Sequence, residues 1–304
     1  MRHLALFCQF TILIWGTESA LLRPFAESSS GNSPQASAGL FHRQYKLGES
    51  MKYHMKGKNE AWEYEIDGSG VVAKDDSGLW VERIGWSNLK SNGQTLPLPT
   101  ESANFRQELS LDPNYMMKLP DFSKVTTMLV GPMADFMTFY TDLWLATKNG
   151  TFSKPGDHLY IKMGGANSWA DGTRVILGQD SIDFDLTVQE VNENEKTVKL
   201  LVRHVPPAQP NVNLPAEWMK AKVADTANNW VEVEKNGDGY IAEVGKETFD
   251  VTLTVDLRDG KLLRATLDNP VTAIRRVCKE AALTQCSEAT PRHILRQVEV
   301  QLQP

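Results

Sequence analysis

Residues 129–144 read LVGPMADFMTFYTDLW, and the fold turns on them. Leu129, Met133, Phe136, Met137, Tyr140, Leu143 and Trp144 recur at the three- and four-residue spacing of one helical stripe. Pro132 suits a first helical turn, Asp135 suits the positive N-terminal end, and Asn149-Gly150 is a stop signal. The spacing predicts a helix over 132–148 whose opposite face carries Thr138, Thr141 and Asp142. Such a stripe has to lie against a large apolar surface, and the flanking segments supply one.

On the N-terminal side, 44–56, 61–74 and 79–89 read as strands. Trp62, Tyr64 and Ile66 alternate with Glu63, Glu65 and Asp67, while Trp80, Glu82, Ile84 and Trp86 oppose Leu79, Val81 and Arg83. Turn sequences at 57–60 and 75–78 join them into an antiparallel meander. Residues 101–111 predict a short helix that buries Phe105 and Leu109. On the C-terminal side, 158–163, 173–177, 182–191, 196–205, 230–235, 240–244, 249–257, 261–267 and 295–302 read as β, with hairpin signals at Asn236-Gly237 and Asp259-Gly260. One connection, 206–229, is long and contains Pro206, Pro207, Pro210 and Pro215, as a flap or wrapping arm would.

The expected fold is therefore mainly β with a helical insertion at about 100–150. A large antiparallel sheet of about ten to twelve strands curls, as open sheets of that size do, into a half-barrel with a central helix packed against it. This strand–helix–strand order resembles the half-barrel carrier folds of the bacterial envelope, such as the lipoprotein-carrier type, in architecture alone.

The front of the chain reads as an address. Arg2 and His3 precede an apolar run over 4–15 and small residues over 16–20, the pattern of a secretory signal peptide at 1–20. A Ser/Ala/Gly/Pro-rich flexible tether follows over 21–40, and 41–304 is expected to be a single β-rich domain. No later stretch reaches the roughly 20 apolar residues of a membrane helix. The expectation is an exported protein, periplasmic or extracellular, with no transmembrane segment after cleavage. Cys278 and Cys286, the cysteines left in that mature chain, are expected to close a small disulfide loop. Lys+Arg number 32 against 38 Asp+Glu, and a net charge of −6 argues against a nucleic-acid partner.

Catalytic signatures are absent. There is no Gly-x-Ser-x-Gly, His-Glu-x-x-His, phosphate loop or dinucleotide fingerprint, and no cofactor motif. Ser87 and Lys90 match a Ser-x-x-Lys pattern by letters, but at the end of a strand instead of the start of a helix. Asp171, Asp180, Asp183 and Asp185 form an acidic cluster without calcium-loop spacing, so no metal site is expected. If residues 193 and 194 centre their hairpin, Asp183 faces His204. With Ser181 nearby, that arrangement is the residue set of a hydrolase.

Aromatic residues carry the remaining signal. Trp62, Trp80, Trp86 and Trp144 fit core positions, whereas Trp169, Trp218 and Trp230 lie in loop-like segments and offer either plugs or stacking surfaces. The expected function is a non-catalytic binding protein holding an apolar small molecule or lipid between sheet and helix. Met133, Met137, Tyr140, Trp144, Trp169 and Trp218 are its candidate contacts. The alternatives are the hydrolase built on His204, Asp183 and Ser181, and a structural or assembly protein that binds a partner through the 206–229 arm.

Overall fold

A computed structural model of the chain describes residues 39–304, apart from 61, 116–119, 150, 163–167, 171–173, 178–181, 211 and 213. At 123, 168–170 and 174–177 it describes backbone alone. The expected signal peptide, the expected tether up to residue 38, and Asp171, Asp180 and Ser181 lie outside the described residues.

Strands β1 (Ser50–Lys58), β2 (Glu63–Lys74) and β3 (Trp80–Ser91) form the antiparallel meander that their alternation predicts. Met51, Tyr53 and Met55, then Tyr64, Ile66 and Val72, then Ile84 and Trp86 are buried on the inner face. Asp75 makes the second turn by accepting the Ser77 and Leu79 amides, each at 2.9 Å, and Gly78 supplies the left-handed φ of +79°.

A two-residue strand β4 (Gln94–Thr95) and a single-turn helix α1 (Thr100–Asn104) follow. The helix expected over 101–111 stops there. Residues beyond it form strand β5 (Gln107–Ser110), which pairs with β3 from Val81 to Ile84. The free edge of β3 satisfies the backbone of this segment as well as a helix would, and it buries Gln107 and Leu109 completely.

Helix α2 (Thr127–Asn149) is longer than expected, so Pro132 sits in its second turn and removes the N–H that would bond the Met128 carbonyl. From Leu129 to Ala146 no side chain is exposed, and Asp142, on the face opposite the stripe, is fully buried as well. The reason is the sheet, which covers the helix on several sides.

The remaining strands are β6 (His158–Ile161), β7 (Ser168–Ala170), β8 (Arg174–Leu177), β9 (Asp183–Asn192), β10 (Thr197–Val205), β11 (Trp230–Asn236), β12 (Gly239–Glu247), β13 (Phe249–Asp256), β14 (Leu262–Cys278) and β15 (Thr290–Gln303). All pairings are antiparallel, and the sheet is not closed into a barrel. One limb runs β3-β2-β1-β15-β14-β13-β10-β9-β6 and curls around α2. A second limb leaves β14 through β12, β11, β8 and β7.

The fork is made by β14, whose first half pairs with β13 and whose second half pairs with β12. The strand read over 261–267 is longer than expected, and β14 runs on through Pro270 to Cys278. Pro270 lies where the partner changes and a ladder donor is least needed, and its carbonyl accepts from Thr248 N at 3.3 Å. On the second limb, Met219, Val231, Ala242, Val244 and Leu283 form a separate apolar cluster. It is covered by the 206–229 arm, whose Asn228 amide side chain bonds the Met219 and Ala221 carbonyls at 2.9 and 2.8 Å. The Cys278–Cys286 disulfide closes a loop beside this cluster. Among the described residues no helix is long and apolar enough to cross a membrane.

Candidate functional site

Met133, Met137, Tyr140 and Trp144 all point into the seam between α2 and the sheet, as the stripe predicts, and all are buried. Their neighbours fill it. Phe136 stands 4.9 Å from the Tyr53 ring, 5.1 Å from Tyr140 and 5.4 Å from Trp86, so the seam is packed with the protein's own side chains.

Three buried polar contacts tie α2 to different strands. Asp135 takes Arg296 of β15 and the Tyr64 hydroxyl of β2, the latter at 3.0 Å. Asp142 holds His204 Nε2 of β10 with both oxygens, at 2.9 and 3.0 Å, between the rings of Phe184 and Phe249. Burial pushes the Asp142 carboxyl up, with His204 opposing it. Tyr140 donates to Glu82 Oε2 of β3 at 2.5 Å, with the Tyr53 hydroxyl 2.9 Å from Tyr140 and 3.3 Å from the same oxygen. Glu82 is wholly buried, and burial pushes its carboxyl up to about 7 against the pull of the two tyrosines. Its other oxygen has no hydrogen-bond partner and lies over Gly70, where an added Cβ would stand 1.8 Å away.

Open space lies at one end of the seam. A cavity of about 400 Å3 is bounded by Thr147 near the C-terminus of α2, Trp80 at the start of β3, the 41–45 segment, and Leu111, Asp112 and Pro113 after β5. Gln44 N bonds the Asp259 carbonyl at 2.8 Å, and Gly260, at a φ of +75°, packs against His42, which holds the 41–45 segment across this mouth. The walls contributed by Phe41, Trp80, Leu111 and Pro113 are apolar, while His42, Arg43, Tyr45 and Asp112 add polar groups. An apolar cavity with a few convergent polar groups is the form of a small-molecule site.

The structure does not set Asp183 opposite His204. A four-residue turn at 193–196 and a bulge at Gln189 shift the β9–β10 register, so Asp183 faces Val205 and His204 faces Phe184. A one-residue slip moves side chains to opposite faces. Asp183 instead accepts from Tyr160 at 2.7 Å, Asp185 pairs with His158 at 2.5 Å, and His204 takes its carboxylate from the helix. Among the described residues no His/Cys/Asp/Glu group has the makings of a metal site. Lys90 is engaged by Glu65 at 3.1 Å. Trp230 is buried, and Trp218 donates to the Leu283 carbonyl at 3.0 Å in the second cluster, outside the seam. Trp169 lies on β7, where the backbone alone is described.

Arg43, His42 and Tyr53 escape a reading of the sequence, and Asp142 is read only as a residue of the face opposite the stripe. Glu82 leaves a trace: a lone carboxylate on the apolar face of β3, opposite a strand carrying Gly68 and Gly70. Comparison with protein-family models, curated proteins and solved structures returns no match.

Proposed function

We propose that the protein is an exported, non-catalytic binding module that holds an apolar small molecule at the mouth of the helix–sheet seam. The cavity between Thr147 and Trp80 carries this reading, because its apolar walls stand at one end of the helix–sheet interface. Its volume of about 400 Å3 falls within the roughly 300–1,000 Å3 of small-molecule sites. Export is supported by the signal-peptide pattern at 1–20 and by the Cys278–Cys286 disulfide. A non-catalytic role is supported by the burial of His204 against Asp142, which leaves neither group exposed to a substrate.

Titration of the purified chain with octan-1-ol, octanoate and phospholipid, followed by tryptophan emission, tests the proposal. Trp80 lines the cavity, so its emission should shift on filling, and Thr147→Phe, which occupies the space, should weaken binding about tenfold. Emission unchanged across the panel removes the reading.

A further inference from the structure

If an apolar molecule fills the mouth, as proposed above, the polar groups there select how that molecule ends. On that reading we infer that the preferred ligand ends in a carboxylate, and that Arg43 receives that carboxylate with His42 beside it. Both residues line the cavity. The Arg43 guanidinium spends one nitrogen on the protein: Nη1 donates to the Ser110 carbonyl at 2.9 Å. Nε and Nη2 are buried and have no partner. They form the side-on edge of the guanidinium, where two parallel N–H bonds match the two oxygens of one carboxylate. His42 repeats the pattern on the adjacent residue, with Nε2 3.4 Å from the Arg258 carbonyl and Nδ1 buried without a partner.

The nearby acids leave this edge free. Glu82 is the buried carboxyl next to Arg43, but its bonded oxygen is taken by Tyr140 and Tyr53, and no hydrogen bond joins it to the guanidinium. Asp112, also on the cavity wall, accepts the Asn114 amide at 2.9 Å. The guanidinium head lies 5.6 Å from the Tyr140 ring centroid and is covered on that side. An entering carboxylate therefore draws the head off the ring toward the cavity. A single guanidinium opposed by Asp112 suits one negative charge better than a dianion such as an alkyl phosphate. Phe41, Trp80, Leu111 and Pro113 take the hydrocarbon part.

Matched ligands test the assignment on the full purified chain, with tryptophan emission and calorimetry as readouts. Octanoate should bind about tenfold more tightly than octan-1-ol, and also more tightly than octyl phosphate. In Arg43→Gln the acid-to-alcohol ratio should fall to about one. Arg43→Lys, which keeps the charge and loses the fork, should retain only part of the preference. Equal affinity of the wild type for octanoate and octan-1-ol overturns the carboxylate assignment and leaves the binding proposal standing. So does a preference that survives in Arg43→Gln, or octyl phosphate binding best. If none of the three binds, the binding proposal itself falls. The wild-type comparison decides the matter even if Arg43→Gln does not fold.

Discussion

Replacing Glu82 by Gln should make the protein more resistant to alkaline pH. Glu82 has no exposed surface, one oxygen bonded to Tyr140 and Tyr53, and the other unpartnered over Gly70. Its carboxyl rises from 4.5 in an unstructured chain to about 7 in the fold, because burial penalises the charged form. A folded-state value above the unfolded one means that the folded chain holds the proton more tightly. The contribution is then fully present below about pH 4.5 and is lost as pH rises through about 7. At about 1.4 kcal/mol per pH unit the full swing is on the order of 3 kcal/mol, most of which falls between pH 5 and pH 9. Gln keeps the shape and an acceptor for the tyrosines but does not titrate. Urea denaturation of wild type and Glu82→Gln at pH 5, 6, 7, 8 and 9 measures the difference directly, since every other titrating group is common to both chains. The stability difference should move toward the Gln variant by about 2–3 kcal/mol across that range, which is roughly 5–10 °C in Tm for a chain of this size. A difference that stays flat within about 0.5 kcal/mol would refute the assignment of Glu82 as a buried acid that holds its proton more tightly in the fold.

The same contacts set three further outcomes. His204→Ala leaves Asp142 buried without its partner and should cost about 3–5 kcal/mol, whereas replacing both residues with apolar side chains should recover most of that; a single-mutant loss below about 1 kcal/mol in denaturant contradicts the buried-pair geometry. Gly70→Ala places a methyl 1.8 Å from Glu82 Oε1 and 2.8 Å from Ile84 Cδ1 and should destabilise by about 1–3 kcal/mol, seen as a lower urea midpoint with unchanged slope. Replacing Cys278 and Cys286 by Ser removes a loop of sequence separation 8 and should cost about 2–3 kcal/mol without altering octan-1-ol binding, because the bridge lies beside the second cluster and away from the mouth.

Some of this arrangement is legible along the chain and some is not, and the split tracks the range of each contact. Met133, Met137, Tyr140 and Trp144 repeat at helical spacing and are found on the buried side of α2. Tyr64 and Ile66, Ile84 and Trp86 alternate and share the inner face of the meander. The segment 107–110 is legible only as more helix, because the β3 edge that draws it into the sheet lies more than 20 residues away in sequence. The strand read over 261–267 falls short for the same reason: β14 runs on through Pro270 to Cys278 because β12 takes over as its partner where β13 ends. Asp183 and His204 face the wrong partners by one residue, since a bulge at Gln189 leaves no mark in the local pattern.

Local repeats of apolar residues, with Gly, Asn and Asp at the turns, were enough to specify strands, a central helix and an antiparallel order, because those properties depend on neighbours within a few positions. A second level was set only when the sheet curled. Asp142 became buried, Glu82 became an acid against two tyrosines, and Arg43 came to the rim of a cavity with one edge unspent. Each of these pairings joins residues tens of positions apart. Their chemistry comes from exclusion of water by the assembled walls, and exclusion of water is a property of the closed surface that no single segment carries.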